Sequence, residues 1–137
     1  MSDVSAGRPG PDEARRLIFG DLDLTNEVRS ARAAYDWSVE EAAEAELEYR
    51  RFLWLCYLDD GPAGAIHSDA DKVWHHHILN TRGYAADCDR MFGHFLHHSP
   101  TYAIPEEVRQ ESYQRGLERY RQEFHRPVPK PTLDCFH

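Results

Sequence analysis

The sequence predicts an all-α protein, a single-domain irregular helical bundle, on three observations. Apolar residues recur at three- and four-residue steps in several segments, one of which opens on a capping box. No strand-length run of alternating Val, Ile and Thr is present, and no Asn-Gly hairpin dipeptide occurs. At 137 residues the chain suits one domain whose core needs no disulfide staples.

The elements follow in order. Residues 1–11 carry Gly7, Pro9, Gly10 and Pro11 among small polar neighbours and read as a flexible leader. A helical domain is expected over 12–125. It starts with a short helix from Asp12 to Phe19 and a second from Thr25 through Val28 and Ala31 to Tyr35. Ser38-Val39-Glu40-Glu41 is a capping box and predicts a helix running to about Leu58. Ala42, Ala45, Tyr49, Phe52, Leu53 and Cys56 form its apolar stripe, while Glu44, Glu48 and Arg51 lie off it.

Asp59-Asp60-Gly61-Pro62-Ala63-Gly64 then breaks the helix. Ser68 reads as the N-cap of the next one, and Asp69 and Asp71 suit its positive start. Gly83 is expected to separate it from a helix over Tyr84 to Met91, which Gly93 ends or bends. Pro105 to Phe124 reads as a last helix with Val108, Tyr113, Leu117, Tyr120 and Phe124 on one face. Residues 126–137, with three prolines, form an extended tail.

Composition narrows the function. The net charge is -8, from 24 acidic against 16 basic side chains, and no Lys/Arg cluster supplies a footprint for a phosphate backbone. Nucleic acid is therefore not the expected partner. Neither a secretion signal nor a membrane-length apolar run is visible, so no membrane partner is expected either. Three cysteines cannot all pair within one chain, which disfavours a secreted disulfide framework and points to a reducing, cytoplasmic setting.

The chemistry is concentrated between Ser68 and Ser99, where six of the nine histidines and one of the three cysteines fall among Trp74, Ile78, Met91, Phe95 and Leu96. Asp71 and His75 are four residues apart and share a helical face, so they can converge on a cation or pair with each other. His75 and His77 point about 200° apart on a regular helix, so both cannot bind one ion there. His77, near the apolar face, is assigned a supporting place or that of an alternative ligand. His76 falls beside Lys72, is expected to face solvent and takes no role.

Cys88 and His98 are the other candidates, since thiolate and imidazole suit Zn, Fe or Cu better than Mg or Ca. His94 and His97 are alternatives to His98, because the segment after Gly93 has no clear helical phase. The ending Cys135-Phe136-His137 is a further Cys-x-His pair that could fold onto the same ion. There is no CxxC and no HExxH.

The stretch EYRRFLWL at Glu48 to Leu55, followed by DADKVWHHHIL, RGYAADC and GHFLHHSP, resembles the glycine-rich domain-containing protein-like family, without the glycine-rich tail of its larger members. The resemblance covers Ser38 to Pro100 and falls on Asp71, Trp74, His75, His77, Tyr84, Asp87, Cys88, Gly93 and His98. It implies no substrate. It favours His75, Cys88 and His98 over the remaining histidines.

Together these readings give a small metalloprotein holding one transition metal ion on Asp71, His75, Cys88 and His98, with an unidentified small molecule or protein as partner. An open coordination position on that ion would permit a metal-dependent enzyme using activated water or dioxygen, and the sequence leaves open whether the protein is an enzyme. The rival reading is a non-catalytic acidic interaction module whose His/Cys cluster is a hydrogen-bonded core.

Overall fold

In a computed structural model that describes residues 7–99 and 101–134, the capping box at Ser38 forms as its sequence requires. The Ser38 hydroxyl accepts from the Glu41 amide at 3.0 Å, and the Glu41 carboxylate accepts from the Ser38 amide at 2.8 Å. Helix α3, Val39–Asp59, grows from this start. Its second half is buried on every side, from Phe52 through Tyr57, so α3 is the central rod of the bundle rather than a surface helix.

The other elements wrap it. Helix α1 covers Pro11–Arg16 and passes into a π-helical turn at Leu17–Asp21; helix α2 covers Thr25–Tyr35. Helices α4, Ser68–Leu79, and α5, Thr81–Phe92, follow the loop after α3, and α6 spans Glu106–Phe124. Helix α3 packs on α2, α4, the π-turn and the strand that precedes α4. The fold class is thus all-α, and among the described residues no helix is long and apolar enough to cross a membrane.

Two short strands, absent from the sequence expectation, tie the segment between α3 and α4 to the segment after α6. Strand β1, Ala65–His67, pairs antiparallel with β2, Pro131–Leu133, with Ala65 opposite Leu133 and His67 opposite Pro131. Three residues are too few to show an alternating pattern, and the prolines around β2 mask it further. Gly64 (φ +97°) enters β1, and its amide donates to the buried Asp134 carboxylate at 2.6 Å. Gly116 lets α6 close on this strand: a Cβ there would lie 2.5 Å from the Ala63 carbonyl oxygen.

Residues 7–10 of the leader are pinned to the end of α3. The Arg8 guanidinium lies 4.0 Å over the Tyr57 ring and donates to the Tyr57 carbonyl at 2.9 Å, while the Tyr57 hydroxyl donates to the Pro9 carbonyl.

The break after α4 differs from the expectation at Gly83. It falls at Asn80, whose side-chain oxygen caps α5 by accepting from the Gly83 amide. Asparagine outranks glycine as an N-cap because it supplies an acceptor.

Glu48, read as lying off the core stripe, is buried. It is neutralised there: Arg51 donates to its carboxylate at 2.7 Å, and Tyr120 of α6 donates to its other oxygen at 2.6 Å. Burial first, then the Glu48 bond, push the Tyr120 hydroxyl up to about 12. Between the ordinary tyrosine value of 10.0 and about 12 the unfolded chain releases a proton that the folded chain keeps. Stability is therefore expected to hold below that window and to fall as pH rises through it. Denaturant titrations of the wild type and Tyr120→Phe at stepped alkaline pH should show a shallower decline in the variant.

Candidate metal centre

Helix α4 carries two of the three clustered groups, and its start is held by an unexpected cap. The N-cap is His67, not Ser68: the His67 Nδ1 accepts from the Asp69 and Ala70 amides at 3.1 and 3.2 Å. Its Nε2 then carries the proton and donates to Glu44 of α3 at 3.1 Å. A buried imidazole does what a serine hydroxyl does elsewhere, and it also ties the start of α4 to α3.

One turn into α4 stands Asp71, and one further turn on stands His75. Their side chains meet as the four-residue spacing requires, with Nε2 of His75 3.5 Å from the carboxylate. His98 arrives from the non-helical segment after α5. Its Nε2 lies 3.1 Å from the Asp71 carboxylate and 3.1 Å from Nε2 of His75. One potential ligand atom from each of Asp71, His75 and His98 falls within 4.8 Å of the others, a group that could hold a metal ion. The His98 and Asp71 side chains are 2% and 8% exposed, whereas His75 is 26% exposed, so the cluster is closed on one side and open on the other.

His98 is positioned by Trp74. The two rings stack with centroids 3.8 Å apart. The Trp74 indole N–H donates to the Tyr84 hydroxyl at 2.9 Å, and that hydroxyl donates to the Leu96 carbonyl at 2.5 Å, two residues before His98.

The remaining candidates sit elsewhere. Cys88 stands outside the group of three and is fully buried on α5; burial pushes its thiol up, against contacts with the Leu96 backbone and the Tyr84 side chain. The thiol packs as a small apolar group because its helix turns it toward the Tyr84–Leu96 contact. His77 points away from His75, as the 200° phase requires. Its Nδ1 accepts from the Tyr49 hydroxyl at 2.7 Å and its Nε2 donates to Asp87 at 2.8 Å, so it braces α4 between α3 and α5.

His94 pairs with Asp60 at 3.0 Å, and that contact, with Arg8, holds the Asp60 carboxyl below its usual range. His76 lies at the surface, where it meets the Ser30 hydroxyl of α2 at 3.0 Å. Cys135 and His137 lie outside the described residues.

A cavity of about 430 Å3 borders the cluster, lined by His75 and His98 together with Tyr35, Ile78, Leu79 and Phe95; His76 and His97 complete its wall. Sequence reading did not single out Tyr35 and Leu79 for this. They come from α2 and the end of α4, and no motif links them.

A family model described as UCP032817-like matches residues 22–125, and the chain belongs to that uncharacterised family. This corrects the resemblance to the glycine-rich domain-containing protein-like family, which no comparison supports. Several residues that carried the likeness, Phe52, Trp74, Tyr84 and Cys88, are core packing residues. Such positions constrain a helical fold more than they distinguish one family from another. No curated protein and no solved structure matches the chain.

The His67 cap generates a direct test. His67→Ala removes the acceptor for two amides and strands the first turn of α4, with an expected loss of about 1–2 kcal/mol. His67→Asn, which restores a capping oxygen, is expected to recover part of it in urea unfolding.

Proposed function

We propose that this protein is a small metalloprotein that holds one transition metal ion on Asp71, His75 and His98. The observation that carries the reading is the convergence of one carboxylate and two imidazoles from α4 and the loop after α5 on a common point. Two neutral nitrogens and one anionic oxygen match the ligand preferences of Zn and of non-haem Fe(II), and imidazole also suits Cu. Three protein ligands leave positions for water or substrate, the pattern of a catalytic ion rather than a closed structural one.

Cys88 is not included in the proposed ligand set, because its thiol is engaged in the core; His77 supports the site by fixing α4. The two described cysteines are free thiols, which supports a reducing compartment and, in our reading, the cytoplasm. When bound, the ion would supply Lewis acidity or, with Fe or Cu, redox chemistry. The residues of the chain do the rest. Asp71 provides the anionic ligand behind the imidazoles, Trp74 holds the His98 ring in plane, and His75 faces the cavity from which substrate would enter.

Protein purified without a histidine tag and reconstituted with Zn or Fe(II) should retain about one equivalent of metal on elemental analysis. Asp71→Asn and His98→Ala are expected to lose it. Cys88→Ala should keep it at a stability cost of about 1 kcal/mol from the small void. Retention of less than about a tenth of an equivalent by the wild type after reconstitution would refute the reading.

A further inference from the structure

Of the large apolar side chains exposed among the described residues, Tyr35, Leu79 and Phe95 border one cavity, the one that also touches His75 and His98. Leu79, at the end of α4, is 75% exposed and shares this cavity with the exposed Tyr35 and Phe95, so the apolar exposure is grouped rather than scattered. Ile78, half-buried, continues the same surface inward. At about 430 Å3 the space lies within the range of small-molecule sites, about 300–1,000 Å3.

Charge narrows the occupant. No lysine or arginine lines this cavity, so an anion would depend on the imidazoles or on a bound ion for counter-charge, whereas an apolar ring needs none. A second cavity of about 370 Å3, by contrast, is lined by Arg115 and Arg119 beside Asp59 and Glu118, with Arg119 and Asp59 paired at 3.0 Å. The first combines aromatic and aliphatic walls with imidazoles, His75 and His98 at the cluster, His76 edge-on to Tyr35 and His97 against Phe95. Tyr35 and Phe95 offer aromatic walls for an apolar ring, and His75 and His98 mark the end at the cluster.

We propose that this cavity is the substrate pocket of the Asp71, His75 and His98 centre. It takes a small molecule with a flat apolar ring and one oxygen-donor head group that reaches the imidazole side. The donor's role rests on the metal reading above; the ring pocket rests on the cavity alone.

Two probes with the same metal-binding head separate the parts. Benzohydroxamate and acetohydroxamate differ in bearing a phenyl or a methyl group. On the metal-loaded full chain, calorimetry should find the phenyl compound at least about tenfold tighter, as burial of a ring requires. Leu79→Ser, at an exposed position, should remove most of that preference while leaving acetohydroxamate affinity and metal content unchanged. Equal affinities in the wild type, or a preference untouched by Leu79→Ser, would overturn the pocket.

Phenol titrated into the metal-free chain gives a readout independent of the ion. Saturable NMR shifts centred on Tyr35, Ile78, Leu79 and Phe95 support the pocket even where the metal reading fails. Shifts scattered over the surface, or none at these residues, overturn it.

Discussion

The stack of Trp74 on His98 is the contact on which the site depends. Trp74 is fully buried on α4, so its ring plane is set by the core, where it also meets Phe52 of α3. The indole N–H cannot be left without a partner in such a place, at a cost of about 1–3 kcal/mol. Tyr84 answers that need and passes the bond on to the Leu96 carbonyl. A polar requirement of the core is thereby met by pulling the segment after α5 back across α4. The same pull delivers His98 to Asp71 and His75. Burial pushes the Tyr84 hydroxyl well above its ordinary range, so the link stays protonated and keeps donating.

Helix α4 serves two purposes with two faces. His75 looks toward the cluster and the cavity, and His77 looks toward Tyr49 and Asp87 in the packed interior. The His67 cap fixes the start of the helix against α3, and the His77 bonds fix its last turns against α3 and α5. Asp71 and His75 lie between these two anchors. Their separation is therefore set by a helix that cannot easily slide or rotate, which is how a binding constellation keeps its geometry.

Much of the fold was legible because it rests on local rules. The Ser38 capping box and the α3 stripe needed no knowledge of distant residues, and neither did the opposition of His75 and His77. The Asp71–His75 pair was legible for the same reason. What failed was long-range. Cys88 and His98 looked equivalent as ligand types, but only tertiary packing decides that Cys88 turns toward Tyr84 and Leu96 while His98 stacks on Trp74. Glu48 is charged and breaks the apolar stripe, yet Arg51 and Tyr120, the latter far along the chain, make its burial tolerable. His67 is not among the usual N-cap residues, and its capping role shows only once its ring lies over the Asp69 and Ala70 amides.

Burial explains why the cluster's asymmetry matters. Asp71 and His98 are almost wholly withdrawn from water, whereas His75 keeps about a quarter of its side-chain surface exposed. A carboxylate placed that deep needs compensation by positive charge or by several donors, and two imidazoles approach it at 3.1 and 3.5 Å. A divalent ion at the common point would supply the charge outright and leave both imidazoles neutral, the form in which they ligate. In the proposed site the open side, at His75, would be where solvent or a ring-bearing ligand exchanges, and the closed side, at Asp71 and His98, where the protein holds on.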